Sequence, residues 1–395
     1  MLIEFAFSSF IGNAQDKKLI ENLLRKDTSS VVKLVLDSPT KYRLQIIYTQ
    51  IKRKRNGKPK FTQYTYRLNE KEYFYPASLV KLPVCALALQ KINELEVDGL
   101  DKNNRMITTT DYDCQTPETK DSTAKDGYPA LGHYIKKMLL VSDNMAFNRA
   151  YEFLGQEYIH KNLAKKKYKN ARILHRFWGC DTLMNRHTNP ISFYDSKGEI
   201  LYEQEGAFYT KQLSNPLGDI NFGKGRLMDT VIVYKPKNFK YNNSVSLMDE
   251  TEILKSILFP KSVGKKKRFK LTEEDYTFLR KYLFMYPSQS DYPNYKTDST
   301  YFDAYKKYLY YGKNPKLTLT DSSLKIYNIV GQALGFTADC AYFFDPKTKT
   351  EFMLSAVIYT NADGILYDDK YEYNSIAFPF LERLGKDVYL FSSKP

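Results

Sequence analysis

Strand-forming sequence lies at both ends of this chain, and helix-forming sequence fills the space between. Near the N-terminus VVKLVLDS (31–38), RLQIIYTQIKR (43–53) and FTQYTYRL (61–68) read as strands. Asn56-Gly57-Lys58 supplies the turn between the last two. Near the C-terminus KIYNIVGQALGF (325–336), CAYFFDP (340–346) and FMLSAVIYTN (352–361) read the same way. Strands at opposite ends of one chain bury their faces by joining a single sheet, so the expected class is α/β (α+β). Between them, residues 79–155 read as mostly helical, and 171–235 as loops with strand-like GEILYEQ and DTVIVYK. Residues 244–312 read as three helices: SLMDETEILKSILFP, LTEEDYTFLRKYLFMYP and STYFDAYKKYLYYG. Thr272 with Asp275 marks the start of the second. Short helices are expected at about 16–26 and near 370–385. No repeat or low-complexity tract is visible.

Ser78-Leu79-Val80-Lys81 stands where a helix opens, ahead of the apolar run LVKLPVCALALQKINEL. Residues three apart on a helix share a face, about 5–6 Å apart at Cβ. A hydroxyl and an amine at that spacing form a nucleophile and its base, and the helix start offers free N–H groups to an anionic transition state. The tetrapeptide S-x-x-K occurs six times, at Ser30, Ser38, Ser78, Ser122, Ser262 and Ser322. Only Ser78 opens a long apolar helix; Ser262, for instance, starts the basic loop SVGKKKRFK.

Ser142-Asp143-Asn144 occurs once, inside LGHYIKKMLLVSDNMAFNRAYEFLG. Helical periodicity continues on both sides, and Ser, Asp and Asn favour caps over helix interiors. The triplet therefore marks a break between two helices, and an N-cap at Ser142 or Asp143 accounts for it without any chemistry.

S-x-x-K followed 64 residues later by S-D-N resembles the class A β-lactamases and penicillin-recognising serine enzymes, and the large envelope-type β-lactamase-like hydrolases in particular. PASLVKLP, VSDNMAFNRAYEFLG and GQALGFTADCAYFFDPKTKTEFMLSAVIYTN carry the resemblance, which covers about residues 45–390. It implies an antiparallel sheet built from the N- and C-terminal segments plus an all-helical part bearing both motifs. It implies one domain over 16–395, with the sheet from about 28–70 and 322–390, the helical part over 76–185 and an insertion over about 190–310. It implies that Ser78 is the nucleophile and Lys81, kept neutral, its base. Ser142 would relay a proton to the leaving nitrogen, and Asn144 would hydrogen-bond Lys81 or the substrate amide. The N–H of Ser78 would form half of an oxyanion hole, worth about 3 kcal/mol per donor where tested. The substrate class implied is a β-lactam or an amide or ester of the cell envelope; the alternative is a degraded, binding-only protein of the same fold.

Two departures from the family pattern stand out. The third box, normally K-T-G or K-S-G, corresponds to Val330-Gly331-Gln332-Ala333-Leu334-Gly335-Phe336, without Lys or hydroxyl. Gln332, Ala333 and Leu334 are then the substrate-facing candidates, Lys325 has no evident place, and the glycines read as close backbone approach. The loop carrying R-x-E-x-x-x-N corresponds best to Arg186-His187-Thr188-Asn189-Pro190, with Thr188 in place of the deacylating Glu. Glu199, Glu203 and Glu205 follow without a spacing that selects one.

His133, His160, His175 and His187 show no metal-binding spacing, and no cofactor is expected. His133 is expected at a helix edge, and His187 lies in the loop just named. Cys85, Cys114, Cys180 and Cys340 show no framework spacing, and Cys85 and Cys340 read as small core residues. The net charge of +15 comes from the runs 52–61, 161–176 and 261–270, which are scattered and read as solvated surface, so no nucleic-acid partner is expected. The expected partner is a small-molecule or peptide substrate of the envelope, and the oligomeric state is open. MLIEFAFSSFIGNAQ resembles the end of a secretory signal cleaved near Ala14 or Gln15, so 1–15 is expected to be a signal remnant and the protein periplasmic or exported. No stretch approaches the length of a transmembrane span.

Overall fold

The structure, a computed structural model, describes residues 18–177, 179–319 and 322–394. The expected signal remnant lies outside them. Two short helices come first, α1 (Leu19–Leu24) and α2 (Ser30–Asp37). The second replaces the strand expected at 31–38: Val32, Val35 and Leu36 recur at helical spacing and are buried, so that face outweighs the β-branched composition. The hairpin β1 (Gln45–Arg53) and β2 (Pro59–Tyr66) follows as expected. A single turn of 3-10 helix (Ala77–Val80) then leads into α3 (Lys81–Leu95), buried along most of its length.

The helical body continues with α4 (Leu131–Val141) and α5 (Asn144–Lys165). Residues 79–155 are less helical than expected, because β3 (Arg105–Thr108) intervenes and pairs with β4 (Ile191–Tyr194), itself paired with β5 (Ile200–Gln204). Helices α6 (Leu247–Leu258) and α7 (Glu273–Phe284) follow, the latter opened by the Thr272–Asp275 capping box. The third expected helix, 299–312, is a chain of turns instead. Tyr310 and Gly312 have positive φ, and the Leu309 N–H donates to Asp339 Oδ2 at 2.9 Å rather than to a helical carbonyl. Strands β6 (Lys325–Ala333), β7 (Phe336–Asp345) and β8 (Thr350–Tyr359) precede the last helix, α8 (Phe378–Ser392), which sits several residues later than expected.

The sheet runs β6-β7-β8-β1-β2 with antiparallel neighbours, so the two ends of the chain meet where Gln45 pairs with Val357. Alternation sends Ile47, Ile329, Met353 and Val357 into the core shared with the helical body. Ile46, Val330, Leu354 and Phe343 face the second core, under α1, α2 and α8. The result is three layers, with β6 as the free edge beside the helical body. Among the described residues no helix is long and apolar enough to cross a membrane.

Cys85 and Cys340 are buried and free, whereas Cys114 and Cys180 form a disulfide with no signature in their spacing. Among the described residues no cluster of His, Cys, Asp and Glu is arranged to hold a metal. His133, His160 and His175 are held neutral by packing. His160 Nδ1 bonds Gln156 O at 2.7 Å while Nε2 accepts from Ile173 N at 3.1 Å, and burial pushes its pKa to about 4. Burial does the same to His133 and His175. An unfolded histidine titrates near 6.5, so between there and about 4 the unfolded chain binds protons that the folded chain refuses. Stability is therefore expected to fall as pH drops through that window, by about 1.4 kcal/mol per pH unit for each such group. Thermal melts from pH 7 to pH 4 read the slope, and His160→Gln should flatten it; a melting temperature independent of pH contradicts the account.

Candidate active site

Ser78 lies in the 3-10 turn, and Lys81 is the first residue of α3. The next two groups come from the α4–α5 junction. Ser142 ends α4 in the left-handed conformation, with φ 63°, and Asp143 caps α5 by accepting from Ala146 N at 2.8 Å. The cap reading and the clustering are thus both realised: two caps back to back turn Ser142 and Asn144 toward Lys81. Its Nζ lies 3.0 Å from Ser78 Oγ, 3.0 Å from Ser142 Oγ and 2.7 Å from Asn144 Oδ1, and it donates to Ser142 O.

Lys81 is fully buried, Ser78 and Ser142 are half-buried, and Asn144 is exposed. The amine is closed off, whereas the two serines that flank it are only partly covered. Burial drives the Lys81 pKa far below the ordinary lysine range; Asp143 opposes the shift and Lys306 adds to it. The hydrogen-bond inventory agrees. Ser142 O and Asn144 Oδ1 can only accept, and a neutral amine has two N–H groups to give them. Its lone pair is then left for a hydroxyl proton.

Gly331 of β6 sits against this turn. A Cβ there would run into the Pro76 carbonyl oxygen and lie 3.2 Å from Leu79 Cγ, so the close-approach reading of this glycine holds. Gln332, on the opposite face, accepts from Tyr308 Oη and Lys313 Nζ, each at 3.3 Å. Ala333 and Leu334 line a groove of about 550 Å³ together with Tyr75, Phe177, Lys237 and Tyr367. Lys325 starts the strand at its far end, with its ammonium over Phe284.

Arg186 and Thr188 are not at this site. Arg186 Nε donates to Tyr209 O at 2.8 Å, Thr188 Oγ1 accepts from Ala207 N at 3.1 Å, and both line a separate cavity of about 380 Å³ with Lys91 and Glu205. Glu203 bonds Ser192 instead. His187 lies between the Tyr112 and Phe208 rings. The stretch that meets Lys81 is ten residues earlier: the Phe177 ring centroid is 5.0 Å from Nζ. Asn148, one turn beyond Asn144, holds it by accepting the Phe177 N–H at 2.8 Å. The neighbouring Arg176 is anchored by Glu152 at 2.8 Å, both buried, and Cys180 ties the same loop to Cys114. A buried arginine needs a buried acid, and Glu152 supplies it here.

Residues 33–200 match the model of the beta-lactamase enzyme family. A beta-lactamase from Xanthomonas campestris pv. campestris superposes with a TM-score of 0.50 at 14% identity, covering 94% of this chain and 97% of that one. A beta-lactamase from Desulfarculus baarsii gives 0.50 at 11% identity, covering 95% and 98%. At such identities these likenesses speak for the fold. No curated protein sequence matches the chain. The chain thus resembles class A β-lactamases and penicillin-recognising serine enzymes in motif and has their mixed antiparallel-sheet fold.

Proposed function

We propose that the protein is a serine hydrolase of the β-lactamase and penicillin-binding type, working through an acyl-enzyme on Ser78. The observation that carries this is the buried Lys81 amine, with both acceptor-only partners supplied and a hydroxyl on either side. Lys81 takes the Ser78 proton as Oγ attacks a carbonyl carbon, Ser142 passes a proton to the departing nitrogen, and Asn144 holds the amine. The Ser78 N–H stabilises the oxyanion. The groove beside Phe177 and Leu334 receives the acyl donor, a β-lactam or an envelope amide or ester. An exported location belongs to the same proposal; the Cys114–Cys180 disulfide fits an oxidising compartment.

Intact-mass measurement after incubation with a fluorescent penicillin and with a fluorophosphonate tests this. Wild type is expected to gain one adduct and Ser78→Ala none. A folded wild type that gains no adduct from either reagent rejects the acyl-enzyme and leaves the binding protein. That second reading is favoured by the 330–336 stretch, which holds neither a Lys nor a hydroxyl residue. A burst of one equivalent of nitrocefin without turnover is the expected compromise, acylation without a base for deacylation.

A further inference from the structure

We propose that Lys306, from a stretch far outside both motifs, is the charge that adds to burial in keeping Lys81 uncharged and so usable as a base. The proposal rests on the Ser78–Lys81 reading above. Its geometric ground is the end of α4. The last carbonyls of a helix have no partner within it and attract cations. Ser142 O takes the Lys81 amine and Leu139 O takes the Lys306 amine. Leu139 belongs to the last turn of α4 and Ser142 is the residue that ends it, so both lysines are held at the same helix end. Both lysines are buried, at 0% and 5% exposure.

Two ammonium groups held at carbonyls of one helix end oppose each other, and Lys306 accordingly lowers the proton affinity of Lys81. Charging one therefore makes charging the other harder, on top of the cost of burial. The groups around the pair decide which of them holds the proton. From α3, Cys85 faces Lys306 one turn beyond Lys81; from the α4–α5 junction, Asp143 faces Lys81. From the sheet, Asp339 on β7 favours a charged Lys306, with Asn328 on β6 donating to both Asp339 Oδ1 at 2.9 Å and Lys306 O at 2.6 Å. Lys307 turns the other way, to Leu283 O, Ile326 O and Asn328 Oδ1. Burial lowers Lys306 to about 8, whereas Lys81 falls well below the lysine range. Lys306 keeps the proton. The turns of 299–312 make this possible, since they let consecutive lysines both enter the interior. Lys306 is a positioning residue, since it acts through Lys81.

The test is ¹⁵N NMR of lysine-labelled protein, following the Lys81 and Lys306 Nζ signals against pH, with assignment by substitution. In wild type, Lys306 is expected to titrate above Lys81. In Lys306→Met the Lys81 midpoint should rise by about one to two pH units, a ten- to hundredfold gain in proton affinity. In Lys306→Arg it should return toward wild type. A folded Lys306→Met with an unmoved midpoint overturns the proposal. If that variant does not fold, wild type decides alone, because the reverse order of titration overturns it equally. Fluorophosphonate labelling of the same samples separates the two claims. Wild type that shows the expected order yet never labels refutes the hydrolase and leaves the role of Lys306 intact.

Discussion

Lys81→Met is expected to slow acylation of Ser78 by at least about a thousandfold while leaving the protein as stable as wild type or more so. Removing one member of a nucleophile–base unit costs about as much as removing the whole unit, on the order of 10⁴ or more where measured. The stability side follows from proton linkage. Burial lowers the proton affinity of the folded lysine well below that of the unfolded one. The free-energy difference between folded and unfolded proton affinities therefore counts against folding below pH 10. Methionine has a similar stem and carries no such cost. It does strip a donor from Asn144 Oδ1 and Ser142 O, but Asn144 is exposed and can turn to water. Labelling rates and melting temperatures measured together decide the matter. A Lys81→Met protein that labels within tenfold of wild type removes Lys81 from the chemistry.

Gly331→Ala should damage folding and chemistry together. The added methyl would meet the Pro76 carbonyl, which is backbone and cannot swing aside as a side-chain end would. Either β6 separates from the turn or the turn carrying Ser78 moves. Overpacking of this kind costs about 1–3 kcal/mol, sometimes more. A displacement near 1 Å at a nucleophile costs on the order of a hundredfold in rate. Urea unfolding and fluorophosphonate labelling of the same preparation should both report a loss. Wild-type values in both would mean that β6 and the Ser78 turn are not in contact.

The parts legible in the sequence are those set by short-range physics. The 78–81 spacing became a shared helix face, and Ser142-Asp143-Asn144 became two caps, because capping and helical periodicity act over four residues. The hairpin and the three C-terminal strands were legible for the same reason. What escaped was set by distant partners. Residues 31–38 carry strand-like composition, but their buried spacing suits a helix lying near α8. Residues 299–312 have helical composition, yet Asp339 and Asn328 claim their backbone groups from the sheet. Phe177 is brought to Lys81 by Asn148 and by the anchored Arg176, a relation that no local motif encodes. Arg186 and Thr188 had the better spacing and the wrong place.

Pairing β1 with β8 also dictates when this protein can exist. The hairpin at 45–66 is synthesised well before its partner at 350–359, and has one long side open in the interval. Contacts so far apart along the chain close slowly. Until then the aliphatic surfaces of β1 have no cover, so a nascent chain remains unlocked for most of its synthesis. Removal of residues 350–395 would take both β8 and α8, and would strand the hairpin rather than merely shorten the molecule.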